Sequence, residues 1–184
     1  MLDLSVVIVS WNVEGLLRKC LRSVQYELDR ATRTLSAEVF VVDNASSDGT
    51  TSMVAAEYPE VTLIVNESNV GFTRANNQAL RLARGQHVCL LNPDCEVLPG
   101  SLVDMVDYMY EHPDVGAVGP QLLFPDGSLQ SSRRRFPTLR TGLVESTILQ
   151  RYFPRSRVVR DYYCDDLPTD QAHEVDWLVG ACLM

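Results

Sequence analysis

Asp94 follows a proline at the end of an apolar run, VCLLNPDCEV over 88–97. The first half of the run has the character of a buried strand. Pro93 lacks the N–H that would continue a ladder, so the strand is expected to stop there. Asp94, with Glu96 behind it, then stands just past a strand end. In open parallel sheets, ligands bind in the crevice outside the carboxyl ends of the strands. A carboxylate in that crevice can hold Mg²⁺ or Mn²⁺, with phosphate oxygens and water completing the shell. Such a cation offsets the charge of a departing diphosphate. Two more expected strands end in polar groups that could face the same crevice, at Ser10-Trp11-Asn12 and at Asp43-Asn44. A carboxylate at the second of these can accept a hydrogen bond from a base imide or a ribose hydroxyl. NVGFTRANN over 69–77 sets backbone N–H groups and Arg74 near a helix start, which suits phosphate or base contacts.

Each group also has a plainer reading. Asp43 and Asp48 could cap the helix that follows them. Asp94 could be a turn residue after Pro93. Asn76 and Asn77 read as a solvated helix face, and Arg74 as one half of a surface ion pair. Arg133-Arg134-Arg135 reads as a solvated loop, with a role against phosphate or an anionic acceptor as the alternative. Trp177, in an apolar run, reads as core rather than as a sugar platform. Taken singly these signals decide little; their order and their position at strand ends decide more.

The elements that must position these groups alternate. Leu4 to Ser10 is a continuous apolar run, the pattern of a strand buried on both faces of a parallel sheet. Val13, Leu16, Leu17, Cys20, Leu21, Val24 and Leu28 recur at helical spacing, with Asn12 as the N-cap. EVFVVD over 38–43 is a second strand, and DNASSDGT starts another helix near Gly49. Val61 to Val65 is a third strand. A helix opening at Asn69-Val70-Gly71 carries Phe72, Ala75, Ala79, Leu80 and Ala83, and Gly85 ends it. His87 to Leu91 is the fourth strand. Pro99 has the place of a first helical residue before Leu102, Met105, Val106 and Met109. Val115 to Val118 reads as another short strand. Strand–helix repeated four times predicts an α/β domain with a parallel sheet and right-handed crossovers. Beyond Pro120, LLFPDGSLQ reads as a hairpin turning at Pro125-Asp126-Gly127. A mobile or partly helical excursion is expected over about 125–173. VDWLVGACL, 175 to 183, reads as one last strand, and its abrupt end at Met184 suggests a domain cut short.

The 184 residues are enough for one domain with a good core. A net charge of -8 argues against a nucleic-acid binder, while leaving room for phosphate held by a metal or a helix N-terminus. The five cysteines are scattered, odd in number and without a CxxC, which speaks for reduced thiols in a cytosolic protein, with Cys20 and Cys89 in the core. No stretch is long and apolar enough for a signal peptide or a span.

Five blocks in order, SVVIVSWN at 5–12, VVDNASSDGT at 41–50, NVGFTRANNQAL at 69–80, LLNPDCEVLPG at 90–100 and VDWLVGACLM at 175–184, resemble those of inverting family-2 glycosyltransferases. RRFPT at 134–138 is similar to the rhamnosyltransferase-like branch. The resemblance covers nearly the whole chain. It implies the GT-A fold, a mostly parallel central sheet with flanking helices, a UDP- or dTDP-sugar donor and Mg²⁺ or Mn²⁺. By position it implies that Val9, Ser10 and Asn12 line the nucleotide pocket. It puts Asp43 on the base and Arg74 on the nucleotide or its phosphates. Asn92-Pro93-Asp94 takes the place of the metal motif DxD, Asp94 being the ligand and Asn92 a neutral member of the nucleotide site. Trp177 and Gly180 fall on the donor-sugar and acceptor side. Residues 1–120 would form the nucleotide-sugar-binding half and 121–184 the start of the acceptor-side half of one domain.

The expected function is therefore inverting, metal-assisted transfer of a sugar, rhamnose for the branch resembled, to a glycan or lipid-linked acceptor in cell-wall or polysaccharide synthesis. The chain would work in the cytoplasm, at the inner face of the membrane, as a peripheral protein. Inversion needs a general base for the acceptor hydroxyl. The family's base follows the last block, so it is expected beyond Met184, and Glu174 and Asp176 are nearby without motif support. The alternatives are a nucleotide-sugar-binding fragment that lacks its base, and a nucleotidyltransferase. SWNVEG after the first strand is not the Gly-rich loop expected of the latter, and the absence of GxGxxG disfavours a Rossmann oxidoreductase.

Overall fold

Strand β1 (Leu2–Ser10) is the middle of the sheet. Its residues alternate between two packed faces, as the period of two requires. Leu4, Val6 and Ile8 face one side and meet Leu17, Leu21 and Val24 of α1 (Glu14–Arg30), with Leu102 and Val106 of α4 (Ser101–Glu111). Val7 faces the other side, where it meets Ala75 and Ala79 of α3 (Phe72–Leu80). The apolar run in the sequence thus reports a strand covered by helices on both sides. A computed structural model describes residues 2–30, 35–145 and 156–184.

The remaining elements of the first half are β2 (Ala37–Asp43), α2 (Thr50–Glu57), β3 (Thr62–Val65) and β4 (Gly85–Leu91). Strands β3, β2, β1 and β4 lie side by side and are parallel. Order reverses between β1 and β4, which is where α/β sheets open a crevice. The α/β layout with a mostly parallel sheet is thus present.

Past Pro120 come β5 (Leu122–Leu123), β6 (Leu129–Gln130), β7 (Arg133–Arg134), α5 (Leu139–Glu145), α6 (Arg157–Tyr162), β8 (Trp177–Leu178) and β9 (Cys182–Leu183). Strands β5 and β6 form the antiparallel hairpin, with Gly127 at φ 82 in its turn. The chain divides into two compact units, Met1–Pro120 with Gly180–Met184, and Gln121–Val179. Gly180–Met184 belongs with the first because β9 pairs antiparallel with β4 and Met184 exchanges two backbone hydrogen bonds with Val118. Of the expected excursion, residues 146–155 lie outside the described residues.

Five local expectations are corrected. VDWLVGACL is not one strand: Trp177–Leu178 pairs with β7, and Cys182–Leu183 joins the main sheet. Val115 to Val118 forms no strand beyond that Val118 pairing. Gly85 opens β4 rather than closing α3, because a Cβ there would strike the backbone of Leu4 and Ser5 on the neighbouring strand. Pro99 is not the first helical residue; α4 begins at Ser101, after Gly100 at φ 89. Asn12 does not cap α1, for a reason that belongs to the site.

Candidate functional site

Three parallel strands end at one edge. Register pairs Ser10 with Asp43, and Ile8 with Leu91, so Asn92-Pro93-Asp94 follows β4 at the edge where Ser10 and Asp43 close β1 and β2. Asn44 continues the ladder by donating its N–H to the Ser10 carbonyl at 2.8 Å. A cleft of about 270 Å³ opens there, lined by Val9 and Ser10 at the end of β1, Trp11 and Val13 beyond it, Asn44 and Pro93 after β2 and β4, and Asn69 and Phe72 at the start of α3. Trp11 and Phe72 are more than half exposed, at 55% and 56%. Two large rings left in water beside polar groups suit a flat ligand.

Asp43 is buried. Its Oδ2 accepts from the Ser46 N–H at 2.9 Å, while Oδ1 meets no partner among the described residues. The hydroxyl of Ser10, its register partner, is equally buried and equally unpartnered. Unsatisfied buried groups are rare because each costs about 1–3 kcal/mol. A carboxylate oxygen and a hydroxyl left so, side by side on adjacent strands, are a prepared acceptor and donor. Asp43 is therefore not a helix cap. That task falls to Asp48, whose carboxylate accepts from Glu14 N–H at 3.1 Å and from Thr50 N–H at 3.0 Å. The Thr50 hydroxyl, which also donates to Oδ1, does most to hold the Asp48 carboxyl below its usual range, and the two backbone N–H groups add to it.

Asn12 sits at φ 53, where its side chain turns away from α1. Its Oδ1 accepts from Ser47 N–H at 2.7 Å, and its N–H donates to Ser46 Oγ at 2.9 Å. Asn12 thus ties the end of β1 to the loop that holds Asp43. Arg74 lies exposed in the first turn of α3, with no ion pair among the described residues, so the surface-pair reading does not hold. Asn77 is exposed, but Asn76 is buried and donates to the Phe72 carbonyl at 3.0 Å, against the solvated-face reading.

Residues 5–167 match the family described as glycosyl transferase family 2. The chain belongs to that family. It is 30% identical, over 192 residues, to the N-acetylglucosaminyl-diphospho-decaprenol L-rhamnosyltransferase of Mycobacterium tuberculosis, an alignment that takes in 98% of this chain. The chain spans 60% of that relative's length. It is 32% identical over 112 residues to the O-antigen biosynthesis protein RfbC of Myxococcus xanthus, covering 60% of this chain and 9% of that protein. Among solved structures, the mannosyltransferase PcManGT of Pyrobaculum calidifontis, in complex with GDP-Man and Mn²⁺, matches with a TM-score of 0.56 and 28% identity, over 68% of this chain and 39% of that one. TarS 1-349 of S. aureus matches with a TM-score of 0.53 and 22% identity, over 78% and 48%, and shares the fold. The fold is GT-A, and the nucleotidyltransferase reading is not favoured.

In this family-2 glycosyltransferase the turn after β4 carries Asp94, the residue expected to hold a metal. Asn92 donates its N–H to the Ala181 carbonyl at 2.8 Å, and its own carbonyl accepts from Cys95 N–H at 3.2 Å. This braces the turn from both sides and leaves Asp94 exposed, with the Cys95 thiol donating to its carboxylate at 3.9 Å. Burial, with the Asp94 charge added, pushes that thiol up to about 11. Among the described residues no three His, Cys, Asp or Glu side chains gather into a cage. Mg²⁺ does not need one: it is commonly held by one or two carboxylates with substrate phosphates and water. A lone exposed carboxylate at the strand edge fits such an ion.

In the second unit Trp177 is 39% exposed and not core; its indole N–H donates to the Arg135 carbonyl at 3.3 Å. The three arginines that read as a loop include β7, and they are engaged internally. Arg133 donates to the Pro168 carbonyl, Arg134 lies over the Tyr163 ring at 4.2 Å, and Arg135 pairs with Asp166 at 2.7 Å. Asp176 accepts from Phe136 N–H at 2.6 Å, which gives it a structural task, while Glu174 is exposed. Gly180 belongs to the first unit, is exposed, and has open space where a Cβ would stand. Trp11 and Phe72 are not among the site residues the sequence points to: Trp11 stands in the Ser10-Trp11-Asn12 strand end without a role of its own, and Phe72 falls in the apolar spacing of its helix; the step to polar residues next to each is the available signal.

Proposed function

We propose that the cleft binds a nucleoside diphosphate sugar, and that the protein transfers the sugar, with inversion, to a lipid-linked or glycan acceptor. The observation that carries this reading is the unpartnered Asp43 Oδ1, buried beside the unpartnered Ser10 hydroxyl at the carboxyl edge. In this reading Asp43 accepts the imide N–H of the base, and Trp11 and Phe72 flank the nucleoside. Val9, Ser10, Asn12 and Asn92 shape the pocket, and Arg74 supplies a positive charge to the phosphates. Asp94 would hold Mg²⁺ or Mn²⁺, which neutralises charge on the leaving diphosphate when bound. Trp177 and Gly180 are assigned to the sugar and acceptor side.

The mycobacterial relative's name supports rhamnose as the sugar and a diphospho-polyprenol as the acceptor carrier. A dTDP- or UDP-sugar is the proposed donor; the GDP-Man and UDP-GlcNAc held by the structural neighbours show that this fold accepts more than one base. Among the described residues no helix is long and apolar enough to cross a membrane. Work on a lipid-linked acceptor would place the protein at the cytoplasmic face of a membrane as a peripheral enzyme.

The test is calorimetric titration of dTDP and UDP, with and without Mn²⁺. Wild type should bind more tightly with Mn²⁺. Asp94→Ala should lose that gain while keeping the metal-free affinity, and Asp43→Ala should lose the metal-free affinity itself. Identical titrations for Asp94→Ala and wild type would remove Asp94 from the metal site, and no binding by wild type would end the nucleotide reading.

A further inference from the structure

Asn44 is 3% exposed, yet it lines the cleft. Its Oδ1 accepts from the backbone N–H of Val70 at 3.3 Å and from Asn66 Nδ2 at 3.0 Å. A backbone N–H can only donate, so the atom facing Val70 must be the amide oxygen. The orientation then passes along the chain of amides. Asn66, having turned its Nδ2 to Asn44, has Oδ1 left to accept from Gln78 Nε2 at 2.8 Å. Gln78 Oε1 in turn accepts from Asn66 Nδ2 at 3.0 Å. Asn66 is anchored as well by its own N–H, which donates to the Asp43 carbonyl at 2.9 Å. One backbone N–H thus sets which way three amides point, across the ends of β2 and β3 and onto α3.

The consequence falls on the atom left over. With Oδ1 doubly engaged, Asn44 Nδ2 meets no acceptor among the described residues. A nearly buried amide that cannot rotate presents a donor at the cleft and never an acceptor. We propose that Asn44 Nδ2 donates to an oxygen of the bound nucleoside, a base carbonyl or a sugar oxygen, and that Asn66 and Gln78 are positioning residues acting through it. The proposal rests on the nucleotide reading of the cleft.

Asn44→Asp separates this role from a structural one. The introduced carboxylate keeps an oxygen for Val70 and Asn66, so the network survives, but the free donor becomes an acceptor. UDP affinity, measured by calorimetry, should fall by about tenfold or more, the scale of one lost hydrogen bond with repulsion in its place. Gln78→Met removes the donor to Asn66 Oδ1 and should weaken UDP binding a few-fold with the ligand-free thermal midpoint unchanged, a split that simple loosening of the fold would not produce. A larger loss for UDP than for CDP would locate the acceptor at the carbonyl of the pyrimidine 4-position, and equal losses at an oxygen the two nucleotides share. Wild-type affinity in Asn44→Asp overturns the donor role, and wild-type affinity in Gln78→Met overturns the positioning role even if Asn44→Asp does not fold. Failure of wild type to bind any nucleoside diphosphate would instead strike the nucleotide reading beneath both.

Discussion

At the scale of single residues, Asp43 sets ligand readiness against stability. Its buried carboxylate has one satisfied and one unsatisfied oxygen. Leaving a charged oxygen without a partner costs more than leaving a neutral one. Asp43→Asn keeps an oxygen for Ser46 N–H and removes the charge. Without ligand the variant should be more stable than wild type by about 1 kcal/mol. Thermal melts without nucleotide would show this as a raised midpoint, and the same variant should no longer gain stability when UDP is added. A lower midpoint for Asp43→Asn would mean that the carboxylate serves the fold rather than a ligand. Asp48, a few residues on, shows the opposite economy: both of its oxygens cap backbone N–H groups, and nothing is left over.

At the scale of elements, α4 is held by a residue of α1. Glu27 is 2% exposed, and its carboxylate accepts from Gly100 N–H at 2.7 Å and from Leu102 N–H at 3.2 Å. The first N–H groups of a helix have no partner within it, and the helix dipole adds attraction for a negative charge. Pro99 and Gly100 bring the chain round so that this end points at α1. Glu27→Ala would leave those donors buried without acceptors and should cost about 1–3 kcal/mol in denaturant unfolding. Glu57→Ala breaks a bonded pair too, with Arg18, but one with both side chains substantially exposed. That change should cost less than about 1 kcal/mol. Equal losses for the two would show that Glu27 is no more than another surface charge.

At the scale of the whole molecule, order is distributed unequally. Strands β1, β2 and β4 run 9, 7 and 7 residues and are packed into the two buried clusters. In the unit Gln121–Val179, β5, β6, β7 and β8 are two residues each, and the arginines of β7 reach a carbonyl and a ring rather than a packed core. Local opening is governed by buried apolar contact and by backbone hydrogen bonds shielded from water. Amides of β1, β2 and β4 should therefore exchange only by global unfolding, and those of β5–β8 by local opening at lower free energy. Native-state hydrogen exchange at increasing denaturant would separate the two groups; a single common exchange free energy would contradict it.

Local chemistry alone was enough to place the strand-ending polar groups at Ser10, Asp43 and Asn92-Pro93-Asp94. A switch from apolar to polar residues at a proline or an Asp-Asn pair is written in consecutive positions, and so is the alternation of strand and helix around it. What lay beyond reach was every feature set by a partner far along the chain. Asn76 has the look of a solvated helix residue, and it is buried on a helix that packs against β1 and β2. Asn12 has the composition of a cap and instead bonds to Ser47, 35 positions away. VDWLVGACL carries one unbroken apolar pattern, yet it is divided between two sheets because Trp177–Leu178 and Cys182–Leu183 find different strands to pair with. Which oxygen of Asp43 stays free, and which end of the Asn44 amide meets the cleft, follow from hydrogen-bond partners brought together only by the packed sheet. Periodicity records how much of a side chain is hidden from water, and it carries no record of which distant donor or acceptor the folded chain will set beside it.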